Sequence, residues 1–224
     1  MQVGTVRWAA IADAAPIAKL WHDVWHATYR RHVQKDALQL CGLPSFVRRV
    51  GVSLFERQDL SARLRPTALV AEQSAQAGVC GFAIIRGGAE IEHIYVAPKA
   101  HGTGVASKLL VEAERVMLEE RGCEVAHLVV SVSNLQARRF YEKHGWIGSS
   151  RQPWMSTAPW QAVRPPELQL PDDMRASGLD DRGGLTEAEL AATTMRCTQY
   201  KKFLGFETGP TGKFGYGGLR SLRD

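Results

Sequence analysis

A glycine-bracketed turn, Gly102-Thr103-Gly104, separates two segments of different period. Before it, Ile91-Glu92-His93-Ile94-Tyr95-Val96 alternates with the period of a strand. After it, Val105, Leu109, Ala113 and Val116 recur at helical spacing. Pro98 stops the strand, and the two glycines allow backbone conformations that a Cβ disfavours. The helix opens on Gly104-Val105-Ala106 with no acidic side chain in front of it. Its unpaired N–H groups and the positive end of its dipole suit a phosphate. Glu90 and Glu92 lie on the strand that feeds this turn, and share a face if no bulge intervenes.

Other chemistries fit the chain less well. The dinucleotide pattern GxGxxG lacks its third glycine here, and the triphosphate loop GxxxxGK[ST] fails at Gly212-Lys213, where Glu207 replaces its first glycine and Phe214 follows the lysine. His22 and His26 have the i, i+4 spacing of a metal pair. Asp23 stands where HExxH needs Glu and no third ligand is evident, so no metal is expected. Cys41, Cys80, Cys123 and Cys197 are scattered without metal or redox spacing and read as free cytosolic thiols. There is no apolar run of membrane length and no signal-sequence pattern at Met1, so the expectation is a cytoplasmic protein without a membrane partner. The net charge of +5 does not indicate nucleic acid. Arg48, Arg49, Arg57 and Arg63 sit with Glu56 and Asp59 and form no recognition motif.

The elements around the turn supply a second constellation. His127 to Ser133 is a β-branched run that reads as a buried strand. Asn134 is placed to cap a helix over LQARRFYEKHG that ends at Gly145, and Ala137, Phe140, Tyr141 and His144 share one of its faces.

In order and spacing, VAPKAHGTGVASKLL and SNLQARRFYEKHGW resemble the two successive acetyl-CoA motifs of the GNAT (Gcn5-related N-acetyltransferase) superfamily. The family pattern [QR]-x-x-G-x-[GA] is filled by His101 through Ala106 with one departure, His101 for Gln or Arg. The resemblance is strongest over about residues 67–150. It implies an α/β fold: a mixed, mostly antiparallel central sheet flanked by helices on both faces. It also implies a function, acetyl-CoA-dependent N-acetylation of a primary amine of a small molecule or protein by direct transfer. The alternative is a non-catalytic acyl-CoA-binding module.

Carried onto this sequence, the resemblance places the pyrophosphate on the N–H groups of Gly102, Thr103, Gly104, Val105 and Ala106, with the Ser107 hydroxyl nearby and His101 as a further donor. The pantetheine arm would pair with the main chain of Ile94 and Val96, near Asn134, where this strand and the next splay apart. An alkylammonium has a pKa near ~10 and must lose a proton before attack. Glu90 fits the family's base position and ranks ahead of Glu92. Tyr141 matches the proton donor to the departing sulfur. Asn134 is explained equally by capping. A polyanionic cosubstrate accounts for a modest positive excess.

The front of the chain resembles the family's opening: a strand over Thr5–Ala9 and a helix capped by Asp13 that runs to about Arg31. Trp21, Trp25 and Tyr29 form an i, i+4, i+8 aromatic stripe on it, either core packing or, through Trp25 and Tyr29, a wall of the acceptor pocket. Pro44 to Leu64 reads as a second helix, followed by strands at Thr67–Glu72 and Gly78–Arg86. The GNAT domain is expected over 1–204, its last strand at Met195–Leu204. Interrupting it is a proline-rich insertion at about 153–193 of net charge −4, against +9 for the rest. The insertion reads as a surface excursion with a short helix at Leu185–Thr193, or as a flap whose carboxylates attract a cationic amine. The tail, 205–224, is expected to be disordered. Many relatives of the family pair, which leaves a homodimer open.

Overall fold

In Thr67–Glu72 (β2) and Val79–Arg86 (β3) nearly every side chain is buried, yet successive residues enter different cores. Leu69, Ala71, Ala83 and Ile85 join one hydrophobic cluster, whereas Ala68, Val70, Phe82 and Ile84 join another. A strand points alternate side chains to opposite faces, so two buried faces require helices on both. The computed structural model describes residues 5–31, 33, 35–54, 65–72, 78–87, 89–149, 154–156 and 195–204.

Thr5–Trp8 (β1) leads into Ala14–Tyr29 (α1), Lys35–Leu40 (α2) and Leu43–Leu54 (α3). After β2 and β3 come Glu90–Val96 (β4), Val105–Arg115 (α4), Val125–Ser131 (β5) and Leu135–Lys143 (α5). Ile147–Gly148 (β6), Trp154–Ser156 (β7) and Met195–Phe203 (β8) close the sheet. Its order is β1-β2-β3-β4-β5-β8-β6, with β7 also paired to β8. Every pair is antiparallel except β4–β5. This is the mixed, mostly antiparallel sheet with helices on both faces that the family resemblance implies. Val105, Leu109, Leu110 and Ala113 of α4 cover one face, and Ile17, Trp21, Phe46 and Val50 of α1 and α3 cover the other.

The structure corrects several local expectations. The alternation of β4 is broken at Glu92: Ile84 pairs with His93 and Ile85 with Ile91, leaving Glu92 as the extra residue of a bulge. Ile91 consequently enters the α4 core, while His93 turns to the α1 face, its ring 4.3 Å from that of Trp21. Asp13 precedes α1 but does not cap it. Its carboxylate takes the Arg7 guanidinium at 2.7 and 2.9 Å and the Ala10 N–H at 2.7 Å instead, and the guanidinium holds it below the usual carboxylate range. The helix predicted from Pro44 is α3, whose remaining predicted span, 55–64, lies outside the described residues, and the short α2 before it was not predicted. Trp154–Ser156, assigned above to the insertion, is a strand paired with Cys197, Arg196 and Met195. The predicted helix at Leu185–Thr193 and the tail after 204 lie outside the described residues.

Candidate functional site

The turn after β4 is built as its composition requires. Pro98–Ala100 makes one 3-10 turn, and Gly102 and Gly104 then take φ of 74° and 84°. Gly104 is the residue before α4, so no side chain caps that helix, and its first turn holds no acid. A Cβ on Gly102 would meet nothing within 4 Å. The first N–H groups of α4 therefore point outward at the positive end of its dipole.

The strand supplies a second set of open groups. β4 and β5 pair only at Glu90–His127 and Ile91–Leu128, after which no pairing joins them. Beyond that point β5 continues to pair with β8 through Ser131. Ala97 donates its N–H to Cys80 of β3 at 2.8 Å. Because neighbouring residues of a strand aim their main-chain groups to opposite sides, Ile94 and Val96 aim theirs into the gap left by β5. His101 turns back to this edge, its Nε2 donating to the Val96 carbonyl at 3.1 Å. The residue expected to serve a phosphate thus holds the end of the strand.

Helix α5 forms the opposite wall. Asn134 caps it as predicted, accepting from the Ala137 N–H at 3.1 Å, and Gly145 ends it with φ of 79°. Ala137, Phe140, Tyr141 and His144 all line a groove of about 430 Å³, together with Ile94, Val96, His101, Gly102, Gly104, Ala106, Ser107 and Asn134. An extended, amide-bearing ligand with an anionic end fits such a groove. The strand edge can pair with the amides, and the helix terminus can take the anion.

Residues 36–146 match the model of the acetyltransferase (GNAT) family. This chain carries a GNAT acetyltransferase domain. No curated protein matches the sequence. Among solved structures, it resembles a GCN5-related N-acetyltransferase from Rhodopseudomonas palustris at 17% identity and a TM-score of 0.56, over 91% of this chain and 98% of that one. PaiA N-acetyltransferase from Thermoplasma acidophilum, in complex with coenzyme A, is 20% identical with a TM-score of 0.53, over 67% and 93%. YncA, a putative acetyltransferase from Salmonella typhimurium solved with acetyl-CoA, is 18% identical with a TM-score of 0.53, over 94% and 98%. At these identities the likeness is one of fold.

The GNAT domain places the other predicted residues unevenly. Thr103 spends both its hydroxyl and its N–H on the Ala100 carbonyl, at 2.7 and 3.4 Å, and the Val105 side chain is buried against the sheet, which leaves its N–H group as its link to the turn. Glu90 and Glu92 sit at the foot of β4, outside the groove lining. Glu92 is enclosed, with one oxygen 2.6 Å from Arg86 and the other without a hydrogen-bond partner among the described residues. Glu90 is half-buried, beside the last paired residues of β4 and β5. Trp25 is wholly enclosed and packs on Tyr29 and Phe46, while Val24 and Thr28 of the same helix face the groove. Tyr29 is buried, and its hydroxyl receives the Asn134 amide at 3.4 Å. The stripe is therefore core, with Tyr29 bonded to Asn134 and Trp21 packed on Tyr95, ring centroids 6.2 Å apart, where it meets groove residues.

The electrostatics of the domain favour neutral phenols. Burial pushes Tyr29 up to about 12, against a smaller lowering by Asn134. Burial and the neighbouring Tyr29 raise Tyr141 further. Sequence reading missed Val24, Thr28, Tyr95, Gln136 and Lys143 as lining residues. Lys143 could have been found as the neighbour of a helical face already identified, but nothing local marks Val24 or Thr28. Elsewhere, His26 bonds the Cys41 carbonyl at 2.7 Å and His22 pairs with Asp23 at 2.9 Å. Among the described residues no three His, Cys, Asp or Glu are grouped to hold a metal ion. No helix among them is long and apolar enough to cross a membrane.

Proposed function

We propose that this chain is an acetyl-CoA-dependent N-acetyltransferase acting on a primary amine of a small molecule or protein. One observation carries the reading. The open terminus of α4, the unpaired edge of β4 and the hydroxyl-bearing face of α5 converge on a single groove with Tyr141 in its wall. Acetyl-CoA, when bound, supplies an activated acyl thioester. The N–H groups of Gly102, Gly104, Val105 and Ala106 hold its diphosphate, with the Ser107 hydroxyl nearby, and the main chain of Ile94 and the N–H of Val96 align its amides. Tyr141, kept protonated by burial, offers a hydrogen-bond donor to the sulfur. Glu90, half-buried where the strands part, takes the amine's proton through water, and Glu92, held by Arg86, ranks second. Four buried free cysteines support a cytoplasmic setting.

A non-catalytic acyl-CoA-binding module is favoured by one observation, that neither carboxylate lines the groove. The two readings part in a single assay. Release of free CoA from acetyl-CoA is measured by mass across polyamines, aminoglycosides, amino acids and peptides, with Tyr141→Phe and Glu90→Gln alongside. Turnover with one amine class, reduced at least ~10-fold by either substitution, is expected. Tight acetyl-CoA binding with no turnover on any amine would support the module instead.

A further inference from the structure

The two helices that wall the groove are joined by one side chain. His144, at the end of α5, packs on Phe140 with ring centroids 4.4 Å apart and the rings tilted by 44°. Its Nδ1 lies 2.7 Å from the Phe140 carbonyl oxygen and its Nε2 lies 2.9 Å from the Ser107 hydroxyl, in the first turn of α4. A carbonyl oxygen only accepts, so Nδ1 carries a proton. In the neutral ring Nε2 is then a bare acceptor, and Ser107 must donate to it. The hydroxyl proton is spent on the ring, and Ser107 shows only lone pairs to an anion. In the protonated ring Nε2–H donates to Ser107 instead, which frees the hydroxyl proton to turn toward an anion at the helix terminus.

We infer that His144 is a positioning residue for the diphosphate of the acyl donor, acting through the orientation of the Ser107 hydroxyl. The inference rests on the reading of the groove as an acyl-CoA site. A diphosphate on the α4 terminus favours the protonated ring, and the protonated ring favours the diphosphate, so binding and proton uptake are linked. Among the described residues, charged groups lie on the elements packed about the ring. Glu142 and Lys143 precede it on α5, and Glu142 accepts from the Tyr200 hydroxyl at 2.7 Å. Lys202 of β8 donates to the His144 carbonyl at 2.9 Å and pairs with Glu114 of α4 at 2.9 Å. His101 lines the same groove, its Nε2 held by Val96.

Calorimetric titration of CoA into the full chain at pH 6 and pH 8 tests this. His144→Asn keeps an amide donor for the Phe140 carbonyl but does not reach Ser107. It is expected to weaken CoA binding roughly 5- to 10-fold at pH 6 and less than about twofold at pH 8. In a Ser107→Ala background the same substitution is expected to cost nothing more, because the two residues act as one. His144→Gln, whose amide reaches Ser107 with a donor that does not titrate, is expected to show a smaller ratio of CoA affinity between pH 6 and pH 8 than the wild type, the remainder being the titration of the CoA phosphates themselves. It also carries the test if the Asn variant does not fold. Equal losses for His144→Asn at both pH values, or an undiminished loss in the Ser107→Ala background, would mean that His144 only packs the helix end and would overturn the inference. Wild-type protein that binds no CoA at either pH would instead overturn the acyl-CoA reading, and the role of His144 with it.

Discussion

Burial and the phenol of Tyr29 hold Tyr141 protonated far above neutral pH, and this fixes the part it can play. A phenol held so tightly gives up its proton less readily than a thiol of pKa about 8.5. It therefore serves the departing sulfur as a hydrogen-bond donor more than as a source of a transferred proton. Removing the hydroxyl should affect the step in which charge develops and leave ground-state binding alone. Tyr141→Phe is expected to lower kcat at least ~10-fold while the KM for acetyl-CoA stays within about twofold, measured by CoA release. The pH profile carries a second expectation. Activity should rise with pH as the acceptor amine loses its proton, and no falling limb should arise from Tyr141 below about pH 10. A tenfold rise in KM with unchanged kcat would assign the hydroxyl to binding.

At the scale of elements, the groove depends on how closely α4 can lie on the sheet, and Gly81 sets that distance. A Cβ there would stand 3.0 Å from Leu109 Cδ1, 3.1 Å from Val105 Cγ1 and 3.2 Å from the Tyr95 carbonyl oxygen. It would push the first turn of α4 and the edge of β4 at once. Gly81→Ala is expected to cost about 1–3 kcal/mol of stability and to raise the KM for acetyl-CoA severalfold, read by thermal unfolding and kinetics. An unchanged KM would show that the groove absorbs the shift. A glycine inside a strand signals a close approach in general, but not what approaches, which is why Gly81 stayed silent in the sequence. The same division runs through the whole site. The Gly102–Gly104 turn, the Asn134 cap and the shared face of Ala137, Phe140, Tyr141 and His144 were legible because neighbours within four residues decide them. The bulge at Glu92, the capture of Asp13 by Arg7 and the bond from His144 to Ser107 were not. Each depends on partners from other elements, or on a register that alternation alone leaves open. Trp154–Ser156 was read as insertion for the same reason, since only its pairing with β8 makes it a strand.

For the molecule as a whole, the phenols couple the site to stability. Tyr29 on α1, Tyr95 on β4 and Tyr141 on α5 come from three elements, and burial raises all three. The sign follows from linkage. In the unfolded chain these groups ionise near the ordinary value of about 10, whereas the folded protein keeps their protons to higher pH. Below pH 10 both states are protonated and the phenols leave stability independent of pH. Above it the unfolded state loses protons that the folded state retains, so stability falls as pH rises. Each phenol contributes a slope of up to about 1.4 kcal/mol per pH unit until its folded pKa is reached. Three together approach about 4 kcal/mol per unit, a large fraction of the 5–15 kcal/mol that holds a typical domain. Thermal unfolding followed between pH 8 and pH 12 is expected to show a shallow decline of Tm from about pH 9, where the buried Cys197 thiol, pushed up to about 12, keeps its proton, and a steeper fall beyond pH 10 from the phenols. The absorbance of these three tyrosinates should appear with unfolding and not ahead of it. Tyr141→Phe removes one of the three groups and should make that fall shallower. If the wild type instead showed three phenols ionising near pH 10 in a still-folded protein, the wall of the groove would be open to water, and Tyr141 could not be the permanently protonated donor that the mechanism requires.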